Sequence, residues 1–315
     1  MTKVREPLLQ SAVVLSAVAS WILAAWGGAS PGEAQAFQSD EPRSGVFQSD
    51  GINLHYVEWG AAESPPMILL HHINSHARTW DRFARSMRDD FRVIALDLRG
   101  HGDSDWAEAG RYTTEDYAAD VAALVEHLDL QPAVVLGGST GGRVGLVYAA
   151  RNPDQVSALI MEDVGAVRPQ GIAGNFAAQL ARGDPEFDTE AEWAEELRGS
   201  NRRADPEVFS HLAMHGTQRL PSGKLGLKRD PAVLADLRPL ELWDAVRELR
   251  APLLLILGAE STIVGPDQTE MFRSIRPDVE IVTIPEAGHI VVHDQPERFE
   301  EAVRGFLGRR RLVGR

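Results

Sequence analysis

Cysteine is absent from all 315 residues of the chain. Its absence excludes a thiol nucleophile, a disulfide framework and any zinc or iron–sulfur centre held by cysteine. Basic side chains are also scarce, since 32 Lys and Arg stand against 46 Asp and Glu and leave a formal net charge of -14. Such a surface repels phosphate backbones and anionic lipids, so we expect neither a nucleic-acid partner nor polybasic docking to a membrane.

The chain has the apolar content of a globular protein, with 43% hydrophobic and 25% charged residues. One apolar stretch, residues 11–29, lies near the N-terminus, after two basic residues and before Ala34-Gln35-Ala36. A basic start, an apolar stretch and small residues at a cleavage position predict a secretory signal peptide, residues 1–36, and hence an exported protein, periplasmic or secreted. The alternative is an uncleaved membrane anchor, because residues 8–29 are long enough to span a bilayer.

Short apolar runs alternate with amphipathic patterns over most of the remaining chain. The runs predict strands at residues 52–57, 67–70, 92–96, 133–136, 156–161, 252–257 and 280–284. The amphipathic patterns predict helices at residues 79–88, 114–128, 141–151, 268–275 and 296–307. Continuous apolar strands that alternate with helices are typical of a mostly parallel sheet covered by helices on both faces, so we predict an α/β fold.

Residues 168–249 interrupt this alternation with helical stretches separated by Gly, Pro and Asp. We interpret them as a helical cap inserted into an α/β core formed by residues 51–167 and 250–308. Residues 37–50 are polar and predict a flexible lead-in, and the basic residues 309–315 predict a solvated tail. The cap contributes apolar side chains that either line an acyl pocket or pack the cap against itself: Phe176, Leu180, Trp193, Leu197, Phe209, Leu212 and Met214.

The segment Gly137-Gly138-Ser139-Thr140-Gly141 has the pattern G-x-S-x-G between a predicted strand and a predicted helix. This context predicts a strained turn that exposes the Ser139 hydroxyl as a nucleophile, with glycines where a Cβ would clash with the neighbouring strand and helix. A Gly-rich dinucleotide loop is excluded, because Ser139 occupies the place of the second glycine in G-x-G-x-x-G. His289 follows the last predicted strand at the same edge of the sheet, which makes it the candidate base.

Residues 51–307 resemble α/β-hydrolases of the abhydrolase type. The resemblance is carried by Leu70-His71, by the run from Asp97 to Ser104, by the G-x-S-x-G segment and by Ala287-Gly288-His289. It implies an α/β-hydrolase fold, a small-molecule substrate and no cofactor, and it leaves the oligomeric state open. It further implies that the backbone N–H groups of Ile73 and Thr140 form the oxyanion hole. One departure is His72, at a position where the family usually has glycine.

The acid that orients His289 is open between two residues. The family normally has an aspartate shortly after the strand that ends at Leu257, but the loop there contains only Glu260. Asp163 ends the strand that follows the nucleophile helix, and its side chain is expected at the same sheet edge. Some small bacterial and mitochondrial esterases carry their acid at that position and have a similar Ser-Thr or Ser-Pro loop later in the chain. We therefore predict Asp163, with Glu260 as the alternative.

These residues together predict a serine hydrolase that cleaves a carboxylic ester or lactone through a Ser-His-Asp triad and an acyl-enzyme. A carbon–carbon bond hydrolase or a perhydrolase on the same fold is an alternative. A non-catalytic, ligand-binding receptor of hydrolase fold is another, and His72 is the feature that favours it. No metal site is predicted, because no helix or strand spacing directs His71, His72 and His76 to a common point.

Overall fold

The computed structural model describes residues 41–169, 171–201, 203–235 and 240–313. The predicted signal peptide or anchor, residues 1–36, lies outside these ranges and stays a prediction. Within them, every helix is too short or too polar to cross a bilayer.

The described residues form strands β1 (Arg43–Ser49), β2 (Ile52–Trp59), β3 (Pro66–Leu70), β4 (Arg92–Leu96), β5 (Ala133–Gly138), β6 (Val156–Glu162), β7 (Thr217–Arg219), β8 (Leu225–Leu227), β9 (Leu253–Gly258) and β10 (Glu280–Ile284). They also form helices α1 (Asp81–Met87), α2 (Thr114–Leu128), α3 (Thr140–Arg151), α4 (Ile172–Arg182), α5 (Glu190–Ser200), α6 (Pro206–Gly216), α7 (Trp243–Glu248), α8 (Pro266–Ile275), α9 (Val291–Asp294) and α10 (Pro296–Arg309). Two 3-10 turns, Ala77–Trp80 and Pro231–Leu234, stand where the sequence predicts helix.

Eight strands form one sheet in the order β1-β2-β4-β3-β5-β6-β9-β10. β2 is antiparallel to both of its neighbours, β1 and β4, and all other pairs are parallel. Parallel strands direct their carboxyl ends to one edge, where the following loops can assemble a site. The predicted α/β fold class is thereby confirmed, with the segments after β3, β5, β6, β9 and β10 meeting at that edge.

Alternate residues of the central strands enter two separate cores. In β3, Ile68 and Leu70 join the core covered by α2, α3 and α8, whereas Met67 and Leu69 join the core covered by α1 and α10. All four side chains are fully buried. A strand buried on both faces needs apolar residues at every position, which is why these strands appear as continuous apolar runs in the sequence.

Local signals in the sequence set the ends and faces of the helices. A capping box starts α2, because the Thr113 side chain accepts from the Asp116 amide while the Asp116 side chain accepts from the Thr113 amide. Proline at its first position starts α10, and this helix buries one stripe: Phe299, Val303, Phe306 and Leu307. Such caps and stripes are what make helix positions predictable.

The flexible lead-in predicted for residues 37–50 is wrong over residues 43–49. These residues form β1, which pairs antiparallel with β2, and the side chains of Phe47 and Ser49 are buried. The strand is polar because one of its faces is open to solvent, as an edge strand of an antiparallel pair allows.

The all-helical cap and the free basic tail also need correction. Between α6 and α7 the chain forms the antiparallel hairpin β7–β8, closed by a turn in which Gly223 has φ +86°. At the C-terminus, α10 continues to Arg309, and the guanidinium groups of Arg309 and Arg310 both bind the carboxylate of Glu280. Two residues of the predicted tail are therefore paired with β10.

Candidate active site

Ser139 lies in the turn between β5 and α3 at the carboxyl edge of the sheet. Its backbone has φ 49° and ψ -111°, a strained conformation for a residue other than glycine. The side chain lines a cavity that also contains His289. This is the strained strand-to-helix turn that G-x-S-x-G predicts for a nucleophile.

Two glycines allow β3, β5 and α3 to approach closely at this turn. A Cβ on Gly137 would lie 2.3 Å from the backbone of Gly141, and a Cβ on Gly141 would lie 2.2 Å from the carbonyl oxygen of Leu70. Both distances are far inside van der Waals contact, so neither position accepts a side chain unless the backbone moves.

Asp163 and His289 come together from β6 and from the loop after β10. The Asp163 carboxylate, whose side chain is 1% exposed, accepts a hydrogen bond from Nδ1 of His289 at 2.7 Å. An ionised carboxylate only accepts, so the proton of this bond belongs to Nδ1. In the neutral ring, Nε2 is then left with its lone pair and can act as a base.

Two more donors hold the Asp163 carboxylate. The amide of Gly258 donates to Oδ1 at 3.1 Å, and the hydroxyl of Ser261 donates to Oδ2. The sequence showed Ser261 only as part of a loop pattern, and its contact with the acid was missed. The available signal was a serine three residues after Gly258, in the loop where related sequences usually have the acid.

Glu260, the alternative acid, points to another partner. Its carboxylate accepts from Nε of Arg203 at 2.9 Å, and its side chain is 47% exposed. No hydrogen bond joins Glu260 to His289 in the described residues. The structure therefore brings His289 to Asp163 and not to Glu260.

The two expected oxyanion donors, Ile73 and Thr140, line the same cavity as Ser139. Thr140 is the first residue of α3, so its N–H has no acceptor within the helix and lies at the positive end of the helix dipole. Neither amide donates to an acceptor within the described ranges. Unused N–H groups beside a nucleophile suit a negatively charged oxygen.

His72 packs over the backbone of the nucleophile turn. A Cβ on Gly138 would lie 2.3 Å from Nε2 of His72, so glycine at position 138 is what makes room for this ring. The ring centroid lies 5.9 Å from that of His289, at an interplanar angle of 82°. Nε2 of His72 is 3.1 Å from Oε2 of Glu162 but out of line for a hydrogen bond.

Burial changes the charge states of this second carboxylate–histidine pair. It raises the pKa of Glu162 to about 7, and burial together with the neighbouring His289 lowers the pKa of His72 to about 3. His72 is thus neutral at physiological pH and Glu162 is only partly ionised. The carboxylate of Asp163 is left as the main negative charge beside His289, and the sequence had not singled out Glu162.

The cavity at Ser139 has a volume of about 180 Å³. Ile172 and Phe176, one turn apart on α4, form part of its wall. Of the seven apolar cap residues considered from the sequence, Phe176 alone lines the described part of this cavity. Phe209 instead packs with small cap residues and with Trp193. Leu197 joins the same cap cluster, whereas Leu180 and Met214 are exposed.

A metal has one candidate set of ligands among the described residues. Ligand atoms of His55, Asp97 and Asp103 lie within 4.8 Å of one another. Asp97 already accepts from Nδ1 of His55 at 2.7 Å, and Asp103 binds Nζ of Lys228 at 2.6 Å. A lysine ammonium at this place competes with a cation, so these residues fit a hydrogen-bonded brace better than a metal site.

Comparisons with known proteins agree with this architecture. A family model described as the alpha/beta hydrolase fold matches residues 65–296. A 2-(acetamidomethylene)succinate hydrolase of Mesorhizobium japonicum is 29% identical over 258 residues, which cover 81% of this chain and 92% of that protein. An esterase of Mycobacterium tuberculosis is 30% identical over 261 residues, covering 81% of this chain and 86% of that one.

A solved structure extends the likeness to three dimensions. The crystal structure of an E-2-(acetamidomethylene)succinate hydrolase superimposes with a TM-score of 0.78 at 28% identity, covering 85% of this chain and 99% of that one. The relatives are enzymes, which favours a hydrolase over the receptor considered from the sequence. With the family match extending over most of the described sheet, the chain belongs to the α/β-hydrolase fold family and is a hydrolase.

Proposed function

We propose that this hydrolase cleaves carboxylic esters or lactones through a serine nucleophile and an acyl-enzyme. The observation that carries the proposal is the 2.7 Å hydrogen bond from Nδ1 of His289 to Asp163, beside a Ser139 held in a strained turn. A strained backbone at a polar residue is costly, which supports a functional rather than a structural role for Ser139.

In the proposed first step, the Ser139 oxygen attacks the carbonyl carbon of the substrate while Nε2 of His289 accepts the hydroxyl proton. Asp163 holds the ring in the required tautomer and stabilises the imidazolium that forms. The amides of Ile73 and Thr140 bind the oxyanion, and a single such donor contributes about 10²–10³-fold to kcat.

The tetrahedral intermediate then collapses, and the bond from carbon to the leaving oxygen breaks. Nε2 of His289 returns its proton to that oxygen, so an alcohol leaves, or a hydroxyl chain stays attached when the substrate is a lactone. A water that gives its proton to His289 attacks the acyl-enzyme. His289 then passes this proton to the Ser139 oxygen as the bond to the acyl carbon breaks, which releases the acid and restores Ser139. A serine nucleophile, in contrast to an aspartate, suits acyl transfer rather than displacement at an alkyl carbon.

Replacement of the nucleophile tests this function. We expect Ser139→Ala to lower kcat for p-nitrophenyl butyrate by more than about 10³-fold, because the attacking oxygen is lost while the fold is kept. Initial rates measure the loss, and circular dichroism checks the fold. Ser222→Ala, an exposed serine in the cap hairpin, serves as the control and is expected to keep full activity. Undiminished activity of the Ser139 variant rules the proposal out.

A further inference from the structure

Helix α3 carries an arginine, Arg143, one turn after Ser139. The helical rise places the two Cα atoms about 6 Å apart along the helix axis. Arg143 is 5% exposed, and its side chain lines the same cavity as Ser139. Arg143 and the proposed nucleophile therefore line one cavity, within reach of the same small substrate.

Within the described residues, Arg143 has no carboxylate to neutralise it. Its Nε has no hydrogen-bond partner, and Nη2 reaches only the carbonyl oxygen of Val167, at the long distance of 3.5 Å. Arg99, which is also buried, shows how a buried arginine is usually neutralised. Asp120 accepts from its Nε at 2.6 Å and from its Nη2 at 2.7 Å. A buried cation without a counter-ion is costly, so the fold keeps Arg143 in an arrangement that an anion would stabilise.

A second arginine, Arg168, also lines the cavity. Burial together with the charge of Arg168 lowers the pKa of Arg143 to about 9, which still leaves the guanidinium charged at neutral pH. No aspartate or glutamate is among the described residues of the wall. The rest of the wall is mainly apolar: Ile73, Ile172, Phe176, Ile263 and Ile290.

We propose that this cavity binds a substrate through a carboxylate group, with Arg143 as its direct partner. The inference rests on the proposed function, because it assigns the substrate class of the same site: half-esters of short dicarboxylic acids, or lactones that carry a carboxylate. A planar guanidinium donates two parallel hydrogen bonds to a carboxylate. A volume of about 180 Å³ leaves room for a short carbon chain only.

Binding to Ser139→Ala protein tests the proposal without any need for turnover. Isothermal titration calorimetry compares monoethyl glutarate with ethyl valerate, which has a methyl group in place of the carboxylate. We expect the anion to bind at least about 30-fold more tightly, the effect of one desolvated charge pair. Adding Arg143→Met is expected to remove most of this difference. Adding Arg151→Met instead, at an exposed arginine on the same helix that pairs with Glu115, is expected to preserve it.

The proposal is overturned if the two ligands bind equally well. It is also overturned if the preference for the anion remains in the Arg143→Met protein. If the Arg143→Met protein does not fold, the comparison of the two ligands on Ser139→Ala protein decides alone. A failure of the proposed function is recognised separately, as an absence of ester hydrolysis by the unmodified enzyme. The two failures are thus distinguishable.

Discussion

Asp163 receives hydrogen bonds from three donors in two segments of the chain, and these fix its carboxylate before a substrate binds. The donors are Nδ1 of His289, the amide of Gly258 and the hydroxyl of Ser261. Because the carboxylate is buried, these bonds act in a low dielectric and are strong. A carboxylate held in this way selects one tautomer of His289, which the proposed mechanism requires.

Substituting each candidate acid in turn distinguishes Asp163 from Glu260. Asp163→Asn is expected to lower kcat for p-nitrophenyl butyrate by about 10⁴-fold, because an amide that donates to Nδ1 selects the wrong tautomer. Glu260→Gln is the matched comparison and is expected to change kcat by less than about threefold, since it breaks an exposed ion pair with Arg203. The opposite order of the two effects would make Glu260 the acid.

Residues whose position follows from a local pattern could be found from the sequence, and residues defined by distant contacts could not. Ser139 and His289 stand at the ends of recognisable strands, and the order of the chain suggested Asp163. Ser261 lies 98 positions from the carboxylate that it binds, and Arg143 is distinguished only by a missing partner. The loop pattern marks Ser261 but not its contact with Asp163, and nothing in the local sequence marks Arg143 as unpaired.

At the scale of elements, the register of β5 and β6 places the nucleophile next to the acid. Gly138, the last residue of β5, is paired with Glu162, the last residue of β6. Ser139 and Asp163 are the residues that follow them. Two parallel strands in this register end side by side, so their following residues emerge at neighbouring points of the sheet edge. The close approach of the two segments is therefore a consequence of strand pairing rather than of loop conformation.

Helix α4 supplies part of the cavity wall, and we expect it to limit the length of the acyl chain that fits. Removing the phenyl ring in Phe176→Ala enlarges the cavity, so the ratio of kcat/KM for p-nitrophenyl octanoate to that for the butyrate is expected to rise about tenfold. Steady-state kinetics with both esters measures it. Leu180→Ala, on the same helix and absent from the cavity wall, is the control and is expected to leave the ratio unchanged. An unchanged ratio in Phe176→Ala removes α4 from the acyl site.

The strands that sequence patterns missed are either very short or polar on a face that is open to solvent. β7 and β8 have three residues each, too few to show an alternation, and β1 is polar on its open face. Strands buried on both faces, such as β9, contain only apolar residues or glycine and were predictable for that reason. For strands, length and burial on both faces therefore decided what could be predicted.

At the scale of the whole molecule, the fold encloses several histidines that burial keeps neutral. Burial lowers the pKa to about 3 or 4 for each of these side chains: His71, His72, His76, His101 and His293. In the unfolded chain the same rings take up protons near their ordinary pKa of 6.5. Their contribution to stability is complete above pH 6.5 and is lost as the pH falls towards 4.

Glu162 changes the free energy of unfolding in the opposite direction, but its effect is smaller than that of the five histidines together. Burial raises its pKa to about 7 from 4.5, so it favours the folded state more strongly as the pH falls between these values. Protonation of Glu162 adds about 3 kcal/mol to the free energy of unfolding, whereas each histidine lowers it by about 2 kcal/mol between pH 6.5 and 5. The net effect of acid is therefore destabilising.

We expect the free energy of unfolding to fall steeply between pH 7 and 5, as measured by urea denaturation at several pH values. His101→Asn, which keeps a donor in place of Nδ1, is expected to reduce the slope by about 1.4 kcal/mol per pH unit, equivalent to one proton. His127→Asn, at an exposed position of α2, is the control and should keep the slope. A stability that is constant between pH 7 and 5 would contradict the account.

The measurement that tests Ser139 as the nucleophile most directly is labelling of the intact protein with a fluorophosphonate, followed by peptide mass spectrometry. The reaction needs the activated serine, the base and the oxyanion donors, but no knowledge of the natural substrate. We predict a single adduct on the peptide that contains Ser139, absent in Ser139→Ala and formed more slowly in Asp163→Asn. The absence of any adduct, or an adduct on another serine, would contradict the proposed mechanism.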